Sequence, residues 1–314
     1  MAEEKDTFED LFGKLSEESS GEDEDIRILE LHKNYTGSDE LVSAQQFKND
    51  CKEDTALYKV GSNITELDKL VEGFRPGTVI IISGPTKQGK TTFCQTLTNH
   101  FTISNYPCLW FSFDTPPIEV INRFPELPVF YLPKKNKPEK KLDWIEAKII
   151  EGIAKYNTRM VFIDHLGFLT KYADQSNNYA TELTSIVREL KAISIRWNVT
   201  IFLNHHIRGI PNDVLPDWSH LKDSSGIAQE CDMVIMIWRE KKKTDDGVEF
   251  ANSAQISLQL HRRTGMIGNF KVGFENNLFI DYEDERRKKI LSKEDKSTKY
   301  KPIKEDISAD DIPM

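Results

Sequence analysis

Cysteine is scarce and scattered. The 314-residue chain has 4, Cys51, Cys94, Cys108 and Cys231, with no C-x-x-C spacing, which argues against a disulfide framework or a zinc site and for a reducing compartment. Cys94 and Cys108 lie among apolar neighbours and read as small hydrophobes. No apolar run reaches the length of a membrane span, and the N-terminus is acidic rather than basic and then apolar, so neither a transmembrane segment nor a signal peptide is expected. Positive charge is also short. The chain carries 42 Lys and Arg against 51 Asp and Glu, a net charge of −9, which argues against a simple basic nucleic-acid binder. The acid gathers at the ends, as in Glu17-Glu18-Ser19-Ser20-Gly21-Glu22-Asp23-Glu24-Asp25, so a central channel in an oligomer can still be positive. Internal repeats and Phe/Tyr-rich platforms for single strands are missing. A soluble cytoplasmic protein is the expectation.

What is present is concentrated in one stretch. Gly84-Pro85-Thr86-Lys87-Gln88-Gly89-Lys90-Thr91 fits G-x-x-x-x-G-K-[ST] at every fixed position,. Thr78 to Ser83 before it is a β-branched apolar run, the pattern of a buried parallel strand. From Thr92 to Phe101 there is no Gly or Pro, and a helix is expected to begin at the loop. That order lets backbone N–H groups and the positive end of a helix dipole surround a phosphate. Lys90 would reach the β- and γ-phosphates and the Thr91 hydroxyl would ligate Mg²⁺. Gly84 through Thr92 are therefore candidate ATP-binding residues.

Around this stretch the chain divides into three. Residues 1–56 form an acidic, polar extension expected to be largely disordered, apart from Phe8, Leu11, Phe12 and Leu15 at the spacing of a short docking helix. Residues 57–283 alternate strand and helix patterns. Ser62 and Asn63 are cap candidates for a helix over Thr65 to Leu70. Strands are expected at Cys108–Phe113, Val129–Leu132, Met160–Asp164, Val199–Leu203 and Met233–Trp238. Helices are expected at Pro117–Phe124, Leu142–Tyr156 and Tyr179–Trp197, the last with Leu183, Ile186, Val187, Leu190, Ile193 and Trp197 on one face. Ala254 to Tyr282 alternates as a β-meander. The fold class is α/β, a doubly wound, mainly parallel sheet with C-terminal antiparallel strands. Residues 284–314 read as a charged, disordered tail.

Carboxylates at strand ends extend the chemistry. Asp164 can hold Mg²⁺ beside the phosphate loop. Asp114, after the strand ending near Phe113, can orient and deprotonate an attacking water, or serve as a helix N-cap before Pro116-Pro117. His205 can sense a γ-phosphate by hydrogen bonding, or be a buried structural histidine.

These residues resemble a family. Asn63 to Lys69, the phosphate loop, Phe111 to Pro116, Phe162-Ile163-Asp164-His165-Leu166, Asn204-His205-His206-Ile207-Arg208, Leu221 to Asp232 and His261-Arg262-Arg263-Thr264-Gly265 follow the ordered motifs of DnaB-like replicative helicases over roughly residues 58–282. The resemblance implies a RecA-like ATPase and a ring, usually hexameric, with ATP between neighbours. Arg263 becomes the finger reaching the next subunit's γ-phosphate, and Gln229 lies in the segment coupling nucleotide to DNA loops. Thr170 to Tyr179 and Ile207 to Trp218 match the segments facing single-stranded DNA, with Lys171, Asn177, Asn178 and Arg208 as candidates. The chain departs from the family at three positions. Asp114 stands where Glu is usual, His205 where Gln is usual outside the phage and mitochondrial branch, and His261 where Lys is usual. No N-terminal collar or primase domain is expected, which suggests a compact phage-type protein in a bacterial host cytoplasm. Asp310-Asp311-Ile312-Pro313-Met314 is similar to the acidic tip of bacterial single-stranded-DNA-binding proteins, a potential docking end for a replication partner.

The expected function is an ATP-dependent helicase that moves on single-stranded DNA. The alternative is a RecA-, RadA- or KaiC-like ATPase that assembles without unwinding. A small-molecule kinase is disfavoured by Arg263 and by the lack of a lid.

Overall fold

The computed structural model describes residues 41–54, 58–134, 141–170, 179–207, 216–221, 224–239, 241–244 and 247–282. Two compact units divide at Ala56 and Leu57. In the first, the described element is helix α1 (Ala44–Asp54), opened by Ser43, whose Oγ accepts from Gln46 N at 3.1 Å. The Phe8 to Leu15 segment and the Asp310 to Met314 tip lie outside the described residues.

The second unit is built on one sheet. Strand β1 (Thr78–Ser83) is buried along nearly its whole length. It pairs in parallel with β5 (Thr200–Asn204) on one side and β6 (Met233–Trp238) on the other. Beyond β5 come β4 (Met160–Asp164), β2 (Cys108–Ser112) and the short edge strand β3 (Phe130–Tyr131), all parallel. Beyond β6 the direction reverses. β9 (Ser253–His261), β10 (Gly268–Glu275) and β11 (Leu278–Asp281) add antiparallel. The nine-stranded order is β11-β10-β9-β6-β1-β5-β4-β2-β3, with a separate hairpin of β7 (Lys241–Thr244) and β8 (Gly247–Phe250). The parallel half with its antiparallel edge matches the expected fold class. Strand order is carried by crossovers, which a period-2 or period-3.6 pattern does not encode.

Apolar alternation sends each strand's side chains into two layers. Ile80, Ile82, Phe162 and Phe202 face one core with α2 (Thr65–Val71), α3 (Lys90–Ile103) and α4 (Pro117–Asn122). Val79, Ile81, Val161, Ile163 and Leu203 face the other with α5 (Lys141–Tyr156), α6 (Tyr179–Arg196) and α7 (Ser224–Glu230). The first core stacks aromatics, Trp110 on Phe162 at 4.9 Å and Phe162 on Phe202 at 4.7 Å between ring centroids. Truncating one such ring to Ala costs about 3–5 kcal/mol. No described helix is long and apolar enough to cross a membrane.

Two local expectations change. Neither Ser62 nor Asn63 caps α2: its N-cap is Ile64, which has no side-chain oxygen. Carboxylates take that part instead. Asp281 Oδ2 accepts from Thr65 N at 3.1 Å, and Asp68, inside the helix, reaches back to Ser62 N at 2.6 Å, Ser62 Oγ at 2.8 Å and Asn63 N at 3.1 Å. Asp114 is not a helix cap either, because α4 begins at Pro117 with Pro116 as its N-cap.

Candidate functional site

The loop between β1 and α3 is shaped by two glycines. Gly84 has φ 148° and Gly89 φ 99°, angles costly for residues with a Cβ. A Cβ on Gly84 would lie 2.2 Å from Ile237 O, so the loop rests directly on the β6 backbone. Gln88 fastens its middle: the buried side chain accepts from Arg239 N through Oε1 at 2.5 Å. Gly89 is the N-cap of α3 and offers no side-chain cap. The first-turn N–H groups of a 14-residue helix therefore face the loop, the arrangement that receives an anion,.

Lys90 curls back under the loop, donating to Gly84 O at 2.9 Å and Pro85 O at 3.1 Å. Burial lowers its ammonium to about 8, against the opposing pull of Asp164 and Asp114. A phosphate is the partner that would offset the burial of that charge. Thr91 Oγ1 donates to Asp164 Oδ2 at 2.7 Å, joining the start of α3 to the end of β4. A hydroxyl and a carboxylate in contact are the hard oxygen donors that suit Mg²⁺, so the residues fit that ion.

Asp114 is exposed, and its N–H reaches Asp164 O at 3.3 Å, so the two carboxylate-bearing segments run side by side. His205 is 2% exposed, with its N–H bonded to Ile82 O and its carbonyl accepting from Ser83 Oγ at 2.8 Å. The next residue, His206, was passed over by sequence reasoning. Its ring meets His165 edge to face at 4.3 Å between centroids. Burial, then Lys90 and His165, hold its imidazole down at about 4, while Asp114 and Asp164 act against them. His206 is therefore neutral at physiological pH and lies in the field of the same charged groups as the loop.

Arg239 was also missed. Its Nε and Nη2 donate to Ala251 O at 3.1 and 2.7 Å, and its guanidinium lies 4.7 Å from the Phe274 ring centroid and 5.4 Å from that of Phe250. The cation and its rings together form an aromatic cluster beside the phosphate loop, a surface that can meet a nucleobase. A lone Arg after an apolar strand gives no such signal in sequence.

Arg263 stands apart from this cluster. β9 runs antiparallel to β6, with His261 opposite Met233, whereas Ser83 at the loop is opposite Met236. The turn after His261 leaves at the amino-terminal ends of the parallel strands and the phosphate loop at their carboxyl ends. Roughly 10 Å of strand, plus loop and turn, separates them. Arg263 instead bonds Glu72 Oε2 at 3.1 Å. His261 is buried, not a surface cation, and its Nδ1 lies 2.5 Å from Thr264 Oγ1 within the same turn. Burial lowers its imidazole. Gln229 is exposed at the end of α7, and its carbonyl accepts from Arg262 Nη2. Lys171, Asn177, Asn178 and Arg208 fall outside the described residues.

The chain also resembles known proteins. The family described as "DnaB-like helicase C terminal domain" matches residues 60–127 and 130–283. Among curated proteins, "Probable replicative DNA helicase" of Trieres chinensis is 27% identical over 264 residues, covering 72% of this chain and 58% of that one. "Replicative DNA helicase DnaB" of Mycoplasma genitalium is 27% identical over 261 residues, covering 69% and 55%. The chain thus spans little more than half the length of these relatives. Among solved structures, a chain of "The Structure Of A DnaB-Like Replicative Helicase And Its Interactions With Primase" superposes with a TM-score of 0.62 at 18% identity, covering 87% of this chain and 74% of that one.

Proposed function

The chain belongs to the DnaB-like helicase C-terminal domain family, and from that membership we propose that it is an ATP-hydrolysing motor that moves along single-stranded DNA as a ring, usually of six copies, and separates duplex during replication. Residues 57–283 are assigned to the motor, working in the cytoplasm of a bacterial host.

The observation that carries the ring is the position of Arg263. A guanidinium at the end of the sheet opposite the phosphate loop cannot serve the nucleotide of its own chain, and is suited to a neighbour's γ-phosphate. In that role it would stabilise charge in the transition state. Within each copy, the loop amides and Lys90 would hold the phosphates of ATP, and Arg239 with Phe274 would meet the base. Thr91 and Asp164 would hold Mg²⁺, which supplies charge neutralisation on the phosphate oxygens. Asp114, exposed beside Asp164, would orient the attacking water and accept its proton. His205 or its neutral neighbour His206 would hydrogen-bond the γ-phosphate, and Gln229 would link nucleotide to DNA segments. Lys171, Asn177, Asn178 and Arg208 are the proposed DNA contacts.

The test is ATP-dependent strand separation on a forked duplex, with Lys90→Ala as the inactive control. Unwinding by the wild type alone supports the motor. ATP hydrolysis stimulated by single-stranded DNA without unwinding overturns it, in favour of a RecA-like ATPase.

A further inference from the structure

The floor of the phosphate site contains an amide with no role so far. Asn204 ends β5 and is 1% exposed. In the β4–β5 register Ile163 pairs with Leu203, so the next residues, Asp164 and Asn204, come opposite one another. Register-matched residues on adjacent parallel strands, about 4.8 Å apart, point to the same face. Which face follows from Phe162 and Phe202, two residues earlier, both in the core beneath α3.

Asp164 and Asn204 therefore stand side by side under the first turns of that helix, and each meets one residue of it. Thr91 Oγ1 donates to Asp164 Oδ2 at 2.7 Å, and Cys94 Sγ, one turn later, donates to Asn204 Oδ1 at 3.3 Å. The amide oxygen is satisfied. Its Nδ2 is buried and has no hydrogen-bond partner among the described residues. A buried donor without an acceptor lowers folding stability, and a leucine would fill the same space without that loss.

We propose that Asn204 is a positioning residue of the nucleotide site, whose Nδ2 donates to the Asp164 carboxylate when Thr91 and Asp164 take up Mg²⁺. The inference rests on the nucleotide reading above. Thr91 has one hydroxyl proton, given to Asp164 in the nucleotide-free chain. That oxygen can meet a cation through a lone pair and keep donating its one proton, so it serves a single carboxylate lone pair; Asn204 is the adjacent group with N–H to spare for another,. Outer-shell donors of this kind keep a metal-binding carboxylate aimed.

The experiment measures N-methylanthraniloyl-ADP affinity with and without Mg²⁺, together with the melting temperature of the nucleotide-free protein. For Asn204→Leu, the expected result is an unchanged or raised melting temperature and unchanged affinity without Mg²⁺. The enhancement of affinity by Mg²⁺ should fall about tenfold. A melting temperature that drops while the Mg²⁺ enhancement stays at the wild-type level would overturn the proposal and leave Asn204 purely structural. If the leucine variant does not fold, Asn204→Ser and Asn204→Ala decide: the cavities are similar and only serine keeps a donor, so serine must show the larger Mg²⁺ enhancement. Equal enhancement in the two overturns the proposal. A wild type that binds no nucleotide would instead overturn the nucleotide reading itself, a distinct result.

Discussion

Arg263 Nη2 lies 3.1 Å from Glu72 Oε2, and both side chains are nearly half exposed, at 43% and 46%. Such a pair contributes about 0–1 kcal/mol and exchanges readily for another anion. Arg263 also donates to Val71 O at 3.4 Å, so it rests on the carboxyl end of α2, where a cation is favoured,. Glu72 itself has φ 53°, in the left-handed region. Glu72→Gly is expected to raise stability by about 0.5–1 kcal/mol, because relief of backbone strain exceeds the loss of an exposed ion pair. It should also raise ATP turnover of the assembled protein by freeing the finger. Chemical denaturation and steady-state hydrolysis check the two halves separately.

If Arg263 acts across a subunit boundary, two inactive variants can repair each other. Arg263→Ala should lower hydrolysis by about 10³-fold or more, and Lys90→Ala should abolish it. An equimolar mixture, allowed to exchange subunits, contains interfaces with Lys90 from one copy and Arg263 from the next. Such a mixture should recover a measurable fraction of wild-type turnover. Rates no higher than the sum of the separate variants would show that the finger does not act in trans.

Lys90 reports how far the empty loop is built for its ligand. Burial takes its ammonium from 10.5 to about 8. Between those values the folded chain binds fewer protons than the unfolded one, so this group's contribution to stability rises with pH across that window. At neutral pH the charge remains, and its desolvation cost is fully present. Lys90→Met should therefore raise the melting temperature of the nucleotide-free protein, by about 1–3 kcal/mol in free energy, and flatten the rise between pH 8 and 10.5. Nucleotide binding should be lost. A lower melting temperature at neutral pH would show that the lysine's two carbonyl contacts outweigh its burial.

The turn before α2 hangs on a single carboxylate. Asp68 accepts three hydrogen bonds from Ser62 and Asn63, and Ser62 is fully buried. Asp68→Ala should lower stability by about 1–3 kcal/mol, because those donors lose their acceptor. Thermal unfolding should show a drop of about 2–4 °C for each kcal/mol. Asp68→Asn, which keeps one acceptor oxygen, should fall in between.

The sequence announces what depends on local chemistry. The phosphate loop, the strand end at Asp164 and the buried strand β1 are legible because each is a short pattern with one physical use. Features made by distant segments meeting are not. Asp281 caps a helix 216 residues earlier, so the local Ser62 and Asn63 looked like the caps. Arg239 becomes a candidate to meet a base only once Phe250 and Phe274 fold against it. The β7–β8 hairpin, with Lys241, Lys242 and Lys243 along one strand, gives no alternation of apolar and polar residues to betray it. His206 and Asn204 flank His205, the histidine picked out by its motif, and their surroundings (His165 beside one, Cys94 and Asp164 beside the other) come from segments far away in the chain.

β9 gives the molecule one more property. Its first residues follow Ala251, which holds Arg239 beside the phosphate loop, and its last, His261, opens the turn bearing Arg263. It is nine residues long, roughly 30 Å of strand, paired with both β6 and β10 along Gln255–Leu258 and from there to His261 with β6, past an irregularity opposite Val234 and Ile235. Such an irregularity bends a strand locally without interrupting its backbone. If a base displaces Arg239 at one end, this strand is the shortest covalent route to the turn at the other. If copies close into the proposed ring, each such strand would run from its own copy's nucleotide towards the next one's, and a single strand would join consecutive firing sites.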